Sequence, residues 1–459
     1  MRTISALLTP IANIRPSQLS LWIVVGIFFF AISLGIYDAL TEKRDIHWAS
    51  QLNSALLFVF FGFTLFLCYD LLLGLPIEQI TCQRLLPASF SLNKPQAVRF
   101  ELTNTSDIEL DVIFHDSHPS HFYSGQFPLK QKIKPGQKAV FEYQVIPKIR
   151  GLAEFSQAYV IFDSRFGLWQ FTKRMGNDDR IKVYPDFSAI SDSFILGVDQ
   201  AMRHMGAHIA KRKGDGMEFN QLREFRVGDT LKQIDWKATA RLGEPISKEY
   251  QEEKDQNVIF LLDCSRRMRA LENDLSYFDY ALNALLMSSY IALDKGDAVG
   301  VMTFSGEPTW LPPIKGKRAI NTILNHLYDL HTSTQSSDFV TAAEQLLSKQ
   351  RKRSLVILLT NVRDEDNEDL QKAVQILQDQ HIVMVVALQE VLLKDINKLD
   401  LSRPDQAMLF AGTKLFQQQR NKMLAYLKAI GVSVVDATHE NIHIQVVTEY
   451  LRLKHSGKI

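Results

Sequence analysis

The residue types best spaced for hydrolytic chemistry lie late in the chain, where His439-Glu440-Asn441-Ile442-His443 matches H-E-x-x-H. On a helix this spacing puts two imidazoles on one face as zinc ligands, with the glutamate as general base, which is the chemistry of a membrane zinc metalloprotease. Val446 and Glu449 stand where the extended form of the motif has a glycine and a third histidine. The segment reads better as the start of an amphipathic helix, capped by Asp436 or Thr438, with Ile442, Val446, Val447 and Leu451 facing a core. A second gathering, His115, Asp116, His118 and His121, offers imidazole and carboxylate ligands, but no second ligand group at finger-like spacing follows it. His204 and His208, four apart, fit a solvated or packing helix face. Asn104-Thr105-Ser106 has the pattern of a glycosylation acceptor, which matters only outside the cell.

Those residues need elements to hold them. From residue 257 onward apolar runs alternate with amphipathic stretches: Val258 to Leu262, then Phe278 to Leu293; Ala298 to Phe304, then Ala319 to Leu330; Leu355 to Leu359, then Leu370 to Leu377; then Ile382 to Leu388. Strand followed by helix, repeated, predicts a doubly wound parallel sheet, whose ligands collect beyond the carboxyl ends of the strands. The loops after Leu262, before Phe339 and after Thr360 are therefore where chemistry is expected. An aspartate after a first strand could accept a phosphoryl group, but Ser265 stands where the second carboxylate, the general acid, is needed. Gly316-Lys317-Arg318 lacks the earlier glycine and following hydroxyl of a phosphate-binding loop. Catalysis is not expected, and any ATP dependence must come from a partner.

The first of these loops, Asp263-Cys264-Ser265-Arg266-Arg267, resembles the Asp-x-Ser-x-Ser opening of a von Willebrand factor A metal-ion-dependent adhesion site, with Arg267 in the last hydroxyl position. Ser337-Asp338 falls where that pattern has a threonine, and Leu359-Thr360-Asn361 where it has an aspartate. The resemblance implies Asp263, Ser265 and Ser337 as the residues that would hold Mg²⁺. A missing carboxylate and an added cation predict poor affinity for it, and no other cofactor is indicated. The expectation is instead that the Arg267 guanidinium pairs with Asp263 in place of a metal. Asp263, Ser265, Arg267, Ser337 and Asn361 would then form a face that binds protein.

Before this domain lies a densely charged connector, 191–256, in which Arg223, Glu224, Arg226, Asp229, Asp235, Lys237 and Arg241 could neutralise one another around Phe225 and Trp236. Leu222-Arg223-Glu224-Phe225, then Val227-Gly228-Asp229, then Ile234-Asp235-Trp236-Lys237-Ala238-Thr239-Ala240-Arg241 closely resembles the signature (214–241) of the domain-of-unknown-function fifty-eight (DUF58) family. Arg223, Glu224, Asp229, Asp235, Trp236 and Arg241 carry that signature. The resemblance implies two N-terminal membrane helices, a β-rich segment and a von Willebrand A-like domain in this order, with a MoxR-type AAA+ ATPase as partner. It implies an adaptor or scaffold, and names no client complex.

The N-terminal end fits such an anchor. No charged residue occurs from Leu19 to Tyr37 or from Ala49 to Tyr69, and about 20 apolar residues cross a hydrocarbon core as a helix. A hairpin of two spans, about 19–40 and 50–75 within residues 1–76, is expected. Arg2 and Arg15 against Lys43 and Arg44 leave its orientation balanced by the positive-inside count. A cytosolic ATPase partner would set both ends, and the soluble domains, on the cytoplasmic side of a bacterial inner membrane. Between 77 and 190, alternating stretches such as Ala97 to Leu102 and Ala139 to Val145 predict a small β-sandwich, and 257–459 the α/β domain of Rossmann type. With 52 Lys plus Arg against 51 Asp plus Glu, no global field favours nucleic acid. Cys68, Cys82 and Cys264 are too scattered for a disulfide framework and fit a reducing compartment.

Overall fold

The computed structural model describes residues 14–40, 46–73, 80–125, 127–186, 218–226, 229–251, 256–390 and 403–457. Two compact units divide the chain, Met1–Val183 and Tyr184–Ile459. His204, His208, Lys43, Arg44 and the residues around 191–217 lie outside the described residues.

In the first unit, period-two patterning makes the strands. Along Gln96–Asn104 and Lys138–Pro147 alternate side chains are buried, Val98, Phe100 and Leu102 on one and Ala139, Phe141, Tyr143 and Val145 on the other. Such strands have one face on a core and one in water. They pair antiparallel with Phe100 opposite Phe141 in a four-stranded sheet, joined by a five-stranded and a three-stranded sheet around one apolar core. Two helices, Gln18–Leu40 and Ile46–Leu73, stand in the chain between strand Ile14–Pro16 of the five-stranded sheet and the other strands.

The expected pair of membrane spans does not stand. Among the described residues one helical stretch, Ser54–Leu72, is long and apolar enough to cross a membrane by length and composition. The apolar part of the first helix is the shorter Gln18–Ser33. At 16 residues this stretch falls short of the about 20 that a crossing helix needs.

In the second unit, six strands form one sheet: β1 (Asn257–Asp263), β2 (Ala298–Phe304), β3 (Trp310–Ile314), β4 (Leu355–Thr360), β5 (Ile382–Gln389) and β6 (Ser433–Thr438), in the order β3-β2-β1-β4-β5-β6. β1, β2 and β4 are buried along their whole length, so their apolar runs serve both faces. Helices α1 (Tyr277–Asp294), α2 (Ala319–Leu327) and α6 (Ile442–His455) fill one face with their apolar stripes. Helices α3 (Phe339–Lys349), α4 (Asn367–Gln378) and α5 (Pro404–Ala429) fill the other.

A second correction concerns the class of this sheet. The expectation of a von Willebrand A-like, Rossmann-type parallel domain gives way to a mixed α/β sheet, because β3 runs antiparallel to β2. The turn 305–309 between them is too short for the crossover a parallel pair needs. Pro312 and Pro313 also suit β3 to an edge. Gly300 answers them from β2, since a Cβ there would come within 3.0 Å of the Leu311 carbonyl oxygen.

Candidate functional site

Asp263 ends β1, a central strand, and its side chain is fully buried. The loops brought to this strand end hydrogen-bond its carboxylate. The Ser265 amide donates to Oδ1 at 2.8 Å, and the hydroxyls of Thr360 (2.7 Å) and Ser337 (3.0 Å) donate to Oδ2. Ser337 Oγ is also 3.0 Å from Ser265 Oγ. Thr360 arrives because β4 pairs in parallel with β1, Leu359 beside Leu262. Ser337 arrives because loop 333–337 is stitched to loop 263–267 through Ser333 N to Cys264 O (2.7 Å) and Arg266 N to Gln335 O (2.9 Å). Burial pushes the Asp263 carboxyl above the usual carboxylate range, and the Thr360 hydroxyl and Ser265 amide pull back against it.

This donor set does not fit Mg²⁺ well. It contains one carboxylate, whose oxygens already accept three hydrogen bonds, whereas a hard dication needs several oxygens with matching negative charge. Among the described residues no three His, Cys, Asp or Glu side chains are gathered as ligands. The expected pairing of Arg267 with Asp263 is also corrected. The Arg267 guanidinium, buried, pairs with Asp366 and with Glu365 at 2.7 Å. Asn361 likewise turns away, donating to Glu390 at 3.1 Å, where Arg363 also pairs at 2.7 Å.

Of the five residues expected to face a partner, Asp263, Ser265 and Ser337 therefore meet, while Arg267 and Asn361 join separate carboxylates. All five are buried. What they support is exposed: Arg266 and Glu365 at the loop crests, and beside Arg363 and Glu390 a groove of about 590 Å³ walled by Met408, Leu409 and Thr413 of α5. Met408 is 80% and Leu409 56% exposed. Thr360 went unassigned in the sequence because it sits inside the apolar run, and Glu365 and Asp366 because their partner lies about a hundred residues away. The acidic run Asp364-Glu365-Asp366 was the available signal.

In the connector, Asp229 accepts two 2.8 Å bonds from the Arg223 guanidinium and one from the Arg226 amide (2.9 Å). These hold the Asp229 carboxyl at about 2, Arg223 being the largest cause. Asp235 caps the helix Trp236–Leu242 through the Lys237 and Ala238 amides, both at 3.0 Å. Glu224, Trp236 and Arg241 are exposed, so the signature is an arginine–aspartate clamp and a helix cap with an outward aromatic, and not one network around Trp236.

The histidine motifs have structural occupations. His439 precedes α6, which begins only at Ile442, so the H-E-x-x-H residues do not share one helical face. His439 packs on Tyr280 and lies 3.1 Å from the Asn273 amide nitrogen, while burial lowers the His443 pKa. Asp116 is the buried partner of Arg84 (2.5 Å) and accepts the Tyr143 hydroxyl. His115 and His118 lie against the Phe127 ring, His121 against Phe122. Asn104, the sugar-acceptor candidate, is buried and donates to the Ile108 (2.8 Å) and Ile133 (3.1 Å) carbonyls. The three cysteines are free.

Residues 221–426 match the family model described as Protein of unknown function DUF58. Among curated proteins, the Bacillus subtilis (strain 168) "Uncharacterized protein YeaD" is 21% identical over 232 residues, a match that takes in 49% of this chain and 54% of YeaD. The chain thus spans about half the length of the curated relative it matches. Among solved structures, Salmonella alpha-2-macroglobulin reacted with methylamine is 13% identical, covering 23% of this chain and 7% of that one at a TM-score of 0.18. The FixG-related protein from Vibrio parahaemolyticus is 8% identical, covering 23% and 96% at a TM-score of 0.17. Likenesses at these scores carry no argument about fold or function. The matched stretch, residues 221–426, holds most of the signature, the Asp263 cluster and most of α5.

Proposed function

We propose that this chain is a non-enzymatic adaptor, held at a bacterial inner membrane by its apolar N-terminal region, that binds a protein partner along the carboxyl edge of its mixed sheet. The observation that carries the reading is the contrast at that edge between a hydrogen-bonded floor and an open surface. Asp263 has three of its roughly four lone-pair sites taken by Thr360, Ser337 and the Ser265 amide, which suits a rigid support better than a proton-transfer or metal-binding role. Above and beside it, exposed Arg266 and Glu365 and the groove bearing Met408 and Leu409 offer charge with flexible apolar side chains, a composition that suits protein contacts.

The partner we favour is a cytosolic MoxR-type AAA+ ATPase, supported by the resemblance of the Arg223–Arg241 signature. With it goes a cytoplasmic location for the soluble units. The test is co-purification of the full chain from detergent extracts, comparing wild type with the pair Met408→Asp and Leu409→Asp and with Arg266→Glu. Both are surface changes expected to leave folding intact. Loss of the ATPase from both variants supports the reading; equal recovery with all three chains removes this edge as the docking face. A C-terminal reporter found outside the cytoplasm would remove the partner as well.

A further inference from the structure

In the first unit the loop Ser164–Trp169 is tied to both N-terminal helices at one level. Asp70, buried near the end of the stretch Ser54–Leu72, accepts the Ser164 hydroxyl at 2.5 Å and the Phe166 amide at 3.2 Å. One turn earlier the Leu67 carbonyl accepts the Trp169 indole N–H at 2.9 Å, and the Phe66 and Phe166 rings lie 5.1 Å apart. The Leu168 carbonyl accepts the Ser17 amide at 2.9 Å, just before helix Gln18–Leu40 begins. Arg15 pairs with Gln170 in the same sheet. Within this clamp Arg165 is exposed and Phe166 is 45% exposed.

The depth of the loop follows from helix geometry. The 19 residues Ser54–Leu72 rise about 28 Å, close to the roughly 30 Å of a hydrocarbon core. Leu67 to Asp70 then fall in the last two turns, near the boundary with the headgroups. A carboxyl so placed is costly unless it is paired or facing polar groups, and Ser164 and Phe166 N–H supply that pairing. An indole with its N–H satisfied, an exposed phenyl ring and two exposed guanidinium-bearing residues, Arg15 and Arg165, form the amphipathic set that settles at a membrane surface.

We propose that loop Ser164–Trp169 is a lipid-contact site: Phe166 enters the boundary of the acyl chains and Arg165, with Arg15, meets headgroup phosphates, so that the β-rich unit rests on the bilayer. This rests on the reading of Ser54–Leu72 as the anchor. Full-length wild-type protein is reconstituted into vesicles of phosphatidylglycerol and phosphatidylcholine that carry a photoreactive group either in the headgroup or in the acyl chain, and adducts are mapped by mass spectrometry. The reference is the exposed turn at Asn177–Asp178, beyond the far end of strand Trp169–Met175 and about 20 Å away at 3.3 Å per residue. Headgroup adducts at Arg165–Phe166 at least fivefold above the reference are expected, falling severalfold in Phe166→Asp. Acyl-chain adducts on Ser54–Leu72 with loop adducts no higher than the reference would overturn this inference alone. No adducts on that helix would overturn the anchor reading together with it.

Discussion

Two aspartates, Asp116 in the first unit and Asp263 in the second, are both fully buried near strand ends, and the chain neutralises them in opposite ways. Asp116 receives a guanidinium: Arg84, its side chain also shut from solvent, bonds both carboxylate oxygens, reaches Asp179 at 2.8 Å and spends its remaining donors on the Ser156 and Asn177 carbonyls. Asp263 receives only neutral donors. The first is a closed ion pair at the edge of a β-rich core. The second leaves its charge only partly compensated beneath loops that meet solvent. A buried pair loses much if one partner is removed, whereas a hydroxyl-bonded carboxylate can respond to pH.

The largest effect expected is from Arg84→Met, which strands the Asp116 charge and should destabilise the first unit by about 3–5 kcal/mol, read by denaturant unfolding of the purified chain in detergent. A loss below 1 kcal/mol would mean that the pair is not what closes this core. Next comes Asp263→Ala. It leaves two hydroxyls and an amide without their acceptor, and should cost roughly 2–3 kcal/mol in the unfolding of the second unit. If it costs as much as Arg84→Met, the neutral donors hold a full charge as firmly as a guanidinium does, and the contrast collapses.

Smaller and more diagnostic is Asp263→Asn followed against pH. Because burial raises the folded pKa of Asp263 above its ordinary 3.8, the folded state binds the proton more tightly than the unfolded one. Its contribution to stability is full below 3.8 and is lost as the pH rises through the raised value. The difference in stability, wild type minus Asp263→Asn, should fall over that range, and a flat difference curve would contradict the raised pKa. The smallest effect, with the opposite sign, belongs to Asp229, whose pKa stands at about 2 against 3.8. There the stability is present above 3.8 and lost as the pH falls toward 2, so Asp229→Asn should erase an acid-side slope. An unchanged slope would mean that the Arg223 clamp forms only weakly in solution.

A good part of the molecule was legible in the sequence because it is local. Alternation in Gln96–Asn104 announced a half-buried strand, and the unbroken apolar runs of β1 and β4 announced strands covered on both faces. The Asp235-Trp236-Lys237 step carries a helix cap in its own residue types. The signature pointed to the DUF58 family, and residues 221–426 match it. The two spans expected at the N-terminus and the parallel class of the sheet did not stand. Counting charges cannot tell a 16-residue apolar stretch such as Gln18–Ser33 from a crossing helix, and apolar runs carry no strand direction. Pro312 and Pro313 were the local hint of an antiparallel edge.

Pairing across the chain was decided by tertiary structure alone. Asp263 and Thr360 stand 97 positions apart, and Arg267 and Asp366 stand 99. In both cases parallel strands end side by side and deliver their following loops to one edge. Arg84 finds Asp116 because sheets pack face to face, and that packing turned a suspected metal cluster into an ion pair. Residue type told which groups needed a partner once buried; only the fold determined which partner each received, since hydrogen bonds and ion pairs act over about 3 Å in space and are indifferent to separation along the chain.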